Sequence, residues 1–388
     1  MKKLGMGLVG PGFVAAHHID AVRRLGDVEV IAIAGSSLDS ARRRAQELQV
    51  DRAYGDYREL LSDPAIDVVH NTTPNYLHLE ISLAALRAGK HVISEKPLAA
   101  NADQSRALYE AVRGTHLANV VTFNYRGNPL VQQARTLAGA GELGELCFVH
   151  GHYLQDWLAD EHVWSWRLDP RRGGASSALH DIGSHWCDLA EHVTGLRITA
   201  VLAELATVVP LRYGSTDSEH AFAGPVNAAE QQLRVEAEDL ASVLLRFERG
   251  VRGCVSVGQV LPGHKNDLRL EINGRRASLS WRQEAQNELW IGRYALPNAI
   301  VPKDPASLAA DARSYAHLPA GHQEGWADAF RNVMADAYRW IRQGAAPQAK
   351  PSALATFADG YRSDCLIEAM LKSHGAGGVW QAVPSMPS

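Results

Sequence analysis

Cysteine is scarce in this chain and scattered. Among 388 residues only Cys147, Cys187, Cys254 and Cys365 occur, with no paired spacing. That argues against a disulfide framework and fits a reducing cytoplasm. No stretch of about 18 apolar residues is present, and a glycine-rich motif begins so early that no room is left for a signal peptide. The sequence therefore predicts neither a membrane partner nor a leader. Charge of one sign is also lacking: the net charge of −4 argues against nucleic acid as a main partner. Internal repeats are not evident. What remains is an ordinary globular composition, 46% hydrophobic and 21% charged, in a chain long enough for two domains.

The amino terminus carries the first motif. A short apolar run at residues 4–9 leads into Gly10-Pro11-Gly12-Phe13-Val14-Ala15, which fits G-x-G-x-x-G/A at a strand-to-helix turn. Gly10 permits the tight turn, Gly12 lets the backbone approach a pyrophosphate, and Ala15 lets the helix lie close to the sheet. Residues 16–25 read as that helix and 28–34 as a second buried parallel strand. At the end of this strand no acid stands to hold both ribose hydroxyls. Instead the chain reads Gly35-Ser36-Ser37, with Asp39 and Arg42 to Arg44 beyond. Ser36, Ser37 and the arginines tolerate a 2′-phosphate and Asp39 opposes one, so NAD and NADP both stay open.

Strand and helix patterns alternate through residue 122, as a doubly wound parallel sheet requires. The strand at 66–70 runs into Asn71-Thr72-Thr73-Pro74-Asn75, and the strand at 92–94 delivers Glu95-Lys96-Pro97. Ligands bind beyond the carboxyl ends of such strands, which puts both polar loops on the cofactor side. A last strand at 120–123 leads into Asn124-Tyr125-Arg126-Gly127-Asn128-Pro129, the expected domain boundary.

Lys96, placed where a buried strand meets a cleft, together with Asp181 and His185, is a suitable kit for moving a proton while a cofactor takes a hydride. Residues 181–193 read as a helix ending near Gly195, so Asp181 and His185, at i and i+4, share a face. His180 and Cys187 lie nearby, but a catalytic zinc needs three convergent ligands, and no metal is assigned.

Ahead of this helix, a strand at 146–152 leads into a stretch dense in aromatics and charge that includes Tyr153, Asp156, Trp157, Trp164, Trp166 and Arg167. Aromatic faces beside carboxylates suit a sugar, whose C–H face lies against a ring while its hydroxyls meet polar groups. Tyr153, Asp156, Trp157 and Arg126 are therefore candidate substrate contacts, and His322 in the loop 321–326 is another. Beyond Gly195, strands at 198–211, 239–247, 251–260, 268–272, 277–281 and 288–291, separated by turn signals, predict an antiparallel meander. Residues 212–234 read as a polar loop, 327–342 and 352–373 as helices, and 375–388 as a frayed tail.

Several of these motifs, in this order, resemble one family over nearly the whole chain: Gly10-Pro11-Gly12, Thr73-Pro74-Asn75 with His78, Glu95-Lys96-Pro97, Asn124-Tyr125-Arg126 with Asn128-Pro129, Trp166-Arg167, and Asp181-Ile182-Gly183-Ser184-His185. The family is that of glucose-fructose oxidoreductase, inositol dehydrogenase and rhizopine catabolism, Gfo/Idh/MocA. The resemblance implies an α/β protein with an N-terminal Rossmann domain, 1–123. It implies a C-terminal α+β domain, 124–388, on a large, mostly antiparallel open sheet, with the C-terminal helices packing back on the Rossmann domain. It further implies that Lys96, Asp181 and His185 are the catalytic group and that Glu95 contacts the nicotinamide-side ribose. Trp166 and Arg167 would close over the cofactor, with Phe13, Val14, Thr72, Asn75, His78 and Asn124 also on the cofactor side. A homodimer or homotetramer through the open sheet is expected.

The activity expected is reversible oxidation of a secondary alcohol on a sugar, glycoside or cyclitol with NAD or NADP. His185 acts as base, Asp181 holds the imidazole or an adjacent substrate hydroxyl, and Lys96 stabilises the developing alkoxide. Two alternatives are a glycoside hydrolase that recycles bound NAD and a non-catalytic nucleotide-binding sensor. Retention of Lys96, Asp181 and His185 together argues against the sensor.

Overall fold

The computed structural model describes residues 2–214 and 231–386. Two compact units divide the chain: Met1–Asn124 with Phe330–Tyr361, and Tyr125–Ala329 with Arg362–Ser388.

In the first unit six strands form one parallel sheet among the described residues. They are β1 (Leu4–Val9), β2 (Val28–Ala34), β3 (Arg52–Tyr54), β4 (Val68–Asn71), β5 (His91–Ser94) and β6 (Asn119–Val121), in the order β3-β2-β1-β4-β5-β6. Helices α1 (Ala15–Arg23), α2 (Leu38–Leu48), α3 (Tyr57–Ser62), α4 (His78–Arg87) and α5 (Ala102–Val112) connect them. β1 and β4 are buried almost throughout, as expected of strands covered on both faces. Local sequence starts the helices: Ser37, Asp56 and Asn101 each accept an amide of the following turn through the side chain. The strand order reverses between β1 and β4, which makes their carboxyl ends the switch point where ligands bind. The returning segment adds Ala355 and Phe357 to the core, and Ala355 accepts the Val121 amide.

In the second unit a nine-stranded sheet is built, among the described residues, from β7 (Leu146–Leu154), β8 (Ile198–Ala206), β11 (Leu240–Phe247), β12 (Arg252–Gly258), β13 (Asp267–Gly274), β14 (Ala277–Arg282), β15 (Glu288–Arg293), β16 (Leu296–Pro302) and β17 (Gln381–Ala382). β9 (Leu211–Gly214) and β10 (Gln231–Arg234) make a separate antiparallel pair. The order is β16-β15-β14-β13-β7-β12-β11-β8-β17. Helices α6 (Pro129–Gly139) and α7 (Ser184–Thr194) pack on one face, where Leu268, Leu270 and Ile272 point inward.

Four expectations change. The sheet is not a simple meander: β7 inserts beside β12 and runs parallel to it, a long-range pairing that no turn signal marks. The strand expected over 198–211 stops at Ala206, and the chain begins a second strand at Leu211. The ends of the expected 212–234 loop are paired strands, while residues 215–230 lie outside the described residues. The expected frayed tail supplies β17, which pairs with β8 through Gln381 and Ala382. Among the described residues no helix is long and apolar enough to cross a membrane.

Candidate active site

The glycine-rich turn follows β1. Gly10 takes φ +88°, and a Cβ there would come within 2.6–2.7 Å of Thr73, so only glycine fits. At Gly12 a Cβ would meet nothing within 4 Å, which leaves open space over the turn. Val14 at the start of α1 makes no side-chain cap, so the first amides of that helix are available to an anion. Thr72 Oγ1 donates to the Gly10 carbonyl at 2.7 Å and ties the β4 loop to the turn. Arg44 braces the turn from α2, with Nε 2.8 Å from the Pro11 carbonyl oxygen. Phe13 is exposed, and so are Ser36 and Ser37 at the end of β2. These features fit a dinucleotide.

His78 is buried between two loops, Nε2 lying 2.7 Å from the Thr73 carbonyl and Nδ1 2.8 Å from the Pro97 carbonyl. It therefore fixes Thr73-Pro74-Asn75 against the segment that carries Lys96. Glu95 and Lys96 emerge directly from β5. Glu95 accepts from Thr122 and lies 3.0 Å from His18 Nε2. Burial would raise its carboxyl, but contact with His18, the Thr122 hydrogen bond and the charge of Lys96 hold it down at about 2. The carboxylate is thus ionised at every working pH. The buried amide nitrogen of Asn124, Nδ2, finds no acceptor among the described residues, a donor left over for a ligand.

In the second unit Asp181 sits in a π turn, Leu179–Gly183, that runs into α7 at Ser184. The helix expected from Asp181 is therefore wider at its start, a local feature common where side chains are aimed at a ligand. Gln259 Nε2 donates to Asp181 Oδ2 at 2.8 Å, and Arg167 Nε lies 3.3 Å from Oδ1. The Arg167 guanidinium also lies over the Trp166 ring, 4.7 Å from its centroid. His185 meets the edge of Tyr125, ring centroids 5.1 Å apart.

From Tyr125 a polar network extends. Its hydroxyl lies 2.7 Å from that of Tyr153, and Tyr153 donates to Asn266 Oδ1 at 2.6 Å. Gln155 donates to the same oxygen, and Trp157 Nε1 donates to Gln155 Oε1. Burial pushes the Tyr125 and Tyr153 hydroxyls up, so both stay protonated donors. Tyr153 and Trp157 thus share one network with Tyr125, Gln155 and Asn266, which the sequence did not single out. Gln155 and Asn266 belong to no motif. Tyr125, inside the quoted Asn124-Tyr125-Arg126, was within reach of the motif itself.

Other candidates are engaged elsewhere in the fold. Arg126 forms a buried ion pair with Asp188 of α7, Nε donating to Oδ2 at 2.8 Å. Asp156 accepts from Lys265 Nζ at 2.6 Å and from the Gly263 amide. His322 is exposed in its loop, 3.3 Å from the Ala320 carbonyl.

A glycine turn of this kind at the switch point of a doubly wound parallel sheet defines a dinucleotide-binding protein. Residues 4–123 match the oxidoreductase family with an NAD-binding Rossmann fold, and residues 131–280 match the GFO/IDH/MocA C-terminal domain. The levoglucosan dehydrogenase of Pseudarthrobacter phenanthrenivorans is 31% identical to this chain over 100% of both. A solved levoglucosan dehydrogenase in complex with NADH and L-sorbose matches with TM-score 0.88 and 29% identity, covering 100% of both chains. An inositol dehydrogenase homolog from Azotobacter vinelandii, complexed with NAD+, gives TM-score 0.83 at 28% identity over 98% of this chain and 97% of the other. The chain belongs to the Gfo/Idh/MocA family of oxidoreductases, and its N-terminal Rossmann fold is NAD-binding.

Proposed function

We propose that this oxidoreductase is a dehydrogenase acting on a secondary alcohol of a sugar, glycoside or cyclitol. The observation that carries the reading is the network of Tyr125, Tyr153, Gln155, Asn266 and Trp157 beside His185, which offers aromatic faces together with directed donors and acceptors. Full-length similarity to a levoglucosan dehydrogenase supports the same substrate class. The nicotinamide, when bound, accepts or returns the hydride. His185 takes the hydroxyl proton, Asp181 sets the orientation of the imidazole or of a neighbouring substrate hydroxyl, and Lys96 donates a hydrogen bond to the oxygen as negative charge grows on it. Glu95 binds the nicotinamide-side ribose. Residues 1–123 serve the nucleotide, and residues 124–388 serve substrate and assembly.

The assembly we propose is a homodimer or homotetramer through the open face of the nine-stranded sheet. Phe148 on β7 and Leu244 on β11, the strands on either side of β12, are exposed, and such apolar side chains favour a partner. All four cysteines are free, in keeping with a cytoplasmic setting.

The test is the near-ultraviolet absorbance change when the protein is mixed with NAD+ or NADP+ and a panel of pyranoses, glycosides, anhydrosugars and cyclitols. Reduction confined to a narrow set of sugars supports the reading. Release of sugar with no net reduction of added nucleotide would overturn it in favour of a recycled-cofactor hydrolase.

A further inference from the structure

A line of buried polar side chains runs behind Glu95, wholly within the first unit. His18 Nε2 lies 3.0 Å from Glu95 Oε1, His18 Nδ1 lies 2.8 Å from His70 Nδ1, and His70 Nε2 lies 2.9 Å from the Tyr338 hydroxyl. His18 and His70 have no solvent exposure, and Tyr338 has almost none. The elements concerned are α1, β4, β5 and the helix Trp326–Arg342. The Phe330 ring seals His18 edge-on at 4.9 Å. We propose that Tyr338, His70 and His18 are positioning residues, a one-way hydrogen-bond relay that fixes the Glu95 carboxylate beside Lys96.

The direction follows from what each atom can do. An ionised carboxylate only accepts, so His18 must donate through Nε2. A neutral His18 then presents a bare Nδ1, and the close nitrogen opposite, His70 Nδ1, must carry the hydrogen. That leaves His70 Nε2 bare, and the Tyr338 hydroxyl donates to it. Every polar atom in the line is satisfied, and both tautomers are set. Burial and the neighbouring His18 push His70 well down, which favours the uncharged line. The charged and titratable groups around it are His17 and Asp20 on α1, His78 on α4 and Lys96 near Glu95, and Arg342, Asp67 and Asp27 toward Tyr338. Tyr338 thus acts on the nucleotide side of the site without touching it. This role rests on the proposal that Glu95 binds the nicotinamide-side ribose.

The experiment compares the full chain with Tyr338→Phe, which keeps the ring and removes the donor. Long-range 15N spectra of the imidazoles at pH 8 should show His18 as the Nε2–H tautomer and His70 as the Nδ1–H tautomer. In the variant His70 should become a mixture. NADH affinity, followed by fluorescence, should weaken roughly 3- to 10-fold. A variant that merely melts earlier, with wild-type tautomers and wild-type NADH affinity, overturns the relay. So does a His18 Nδ1–H in the unaltered protein at pH 8. Should the tautomers hold and mix as expected while NADH affinity stays constant even in Glu95→Gln, the relay is supported and the ribose role of Glu95 is the part that fails.

Discussion

Arg167 and Asp181 form an ion pair, Nε to Oδ1 at 3.3 Å, while Gln259 donates to the other oxygen of the same carboxylate at 2.8 Å. The two partners come from separate segments of the chain, so the orientation of Asp181 is set by the tertiary fold and not by its own turn. Gln259, fully buried, directly follows β12. Replacing Gln259 with Leu should lower turnover roughly 10-fold with little effect on NADH binding, because one carboxylate oxygen loses its directing donor. Steady-state rates beside an NADH titration would check this, and equal losses in both would place Gln259 in the fold alone.

Lys96→Met and His185→Ala should each reduce turnover by roughly 10²- to 10⁴-fold while nucleotide affinity stays near that of the unaltered protein. The measurement is the rate of nucleotide reduction with a competent sugar, paired with direct NADH binding. Full turnover in both variants would remove them from proton transfer.

Acid stability should carry two signatures. The Glu95 carboxyl is depressed to about 2 from 4.5. Its contribution is complete above about 4.5, is lost as pH falls toward 2, and amounts at most to something on the order of 3 kcal/mol. His70 is depressed below 6.5, so the unfolded chain binds the extra proton first and stability begins to fall as pH drops through 6.5. Denaturant midpoints between pH 7 and 3 should therefore fall less steeply in Glu95→Gln below 4.5. An identical slope would show that the carboxylate is not stabilised by its surroundings.

Arg126 and Asp188 are both buried, joined through the Nε contact at 2.8 Å. Asp188→Ala leaves a guanidinium charge in the interior and should cost about 3–5 kcal/mol in chemical unfolding. Arg126→Met with Asp188→Leu should recover much of that loss. A double variant as unstable as the single one would mean that the pair also holds something else in register.

Local signals were legible in the sequence where an element is set by its own residues. The strand read at 28–34 is β2, Val28–Ala34, since its second half is continuously apolar and is buried on both faces from Ala32 to Ala34. The glycine turn was legible at Gly10, where the positive φ and the approach to Thr73 leave no space for a side chain. Pairings between distant residues left no such trace. β7 beside β12, His18 against His70 and Tyr338 behind them depend on contacts that no periodicity encodes. Asn266 is in the same position: it joins the Tyr153 network from a turn before β13 that looks like any polar turn. Arg126 illustrates the converse, a charge in a promising motif that is engaged by a buried acid.

The first compact unit borrows Phe330–Tyr361 from far along the chain, and Tyr338 is part of that loan. During synthesis the parallel sheet emerges from the ribosome first, while the donor that completes the His70 line is still untranslated. At about 5–20 residues per second the wait is on the order of ten to fifty seconds. Until then His18 and His70 face an unfinished wall, and the nascent nucleotide fold must be held soluble without its last layer. Maturation of the cofactor end is thereby coupled to translation of a segment more than 200 residues beyond the sheet.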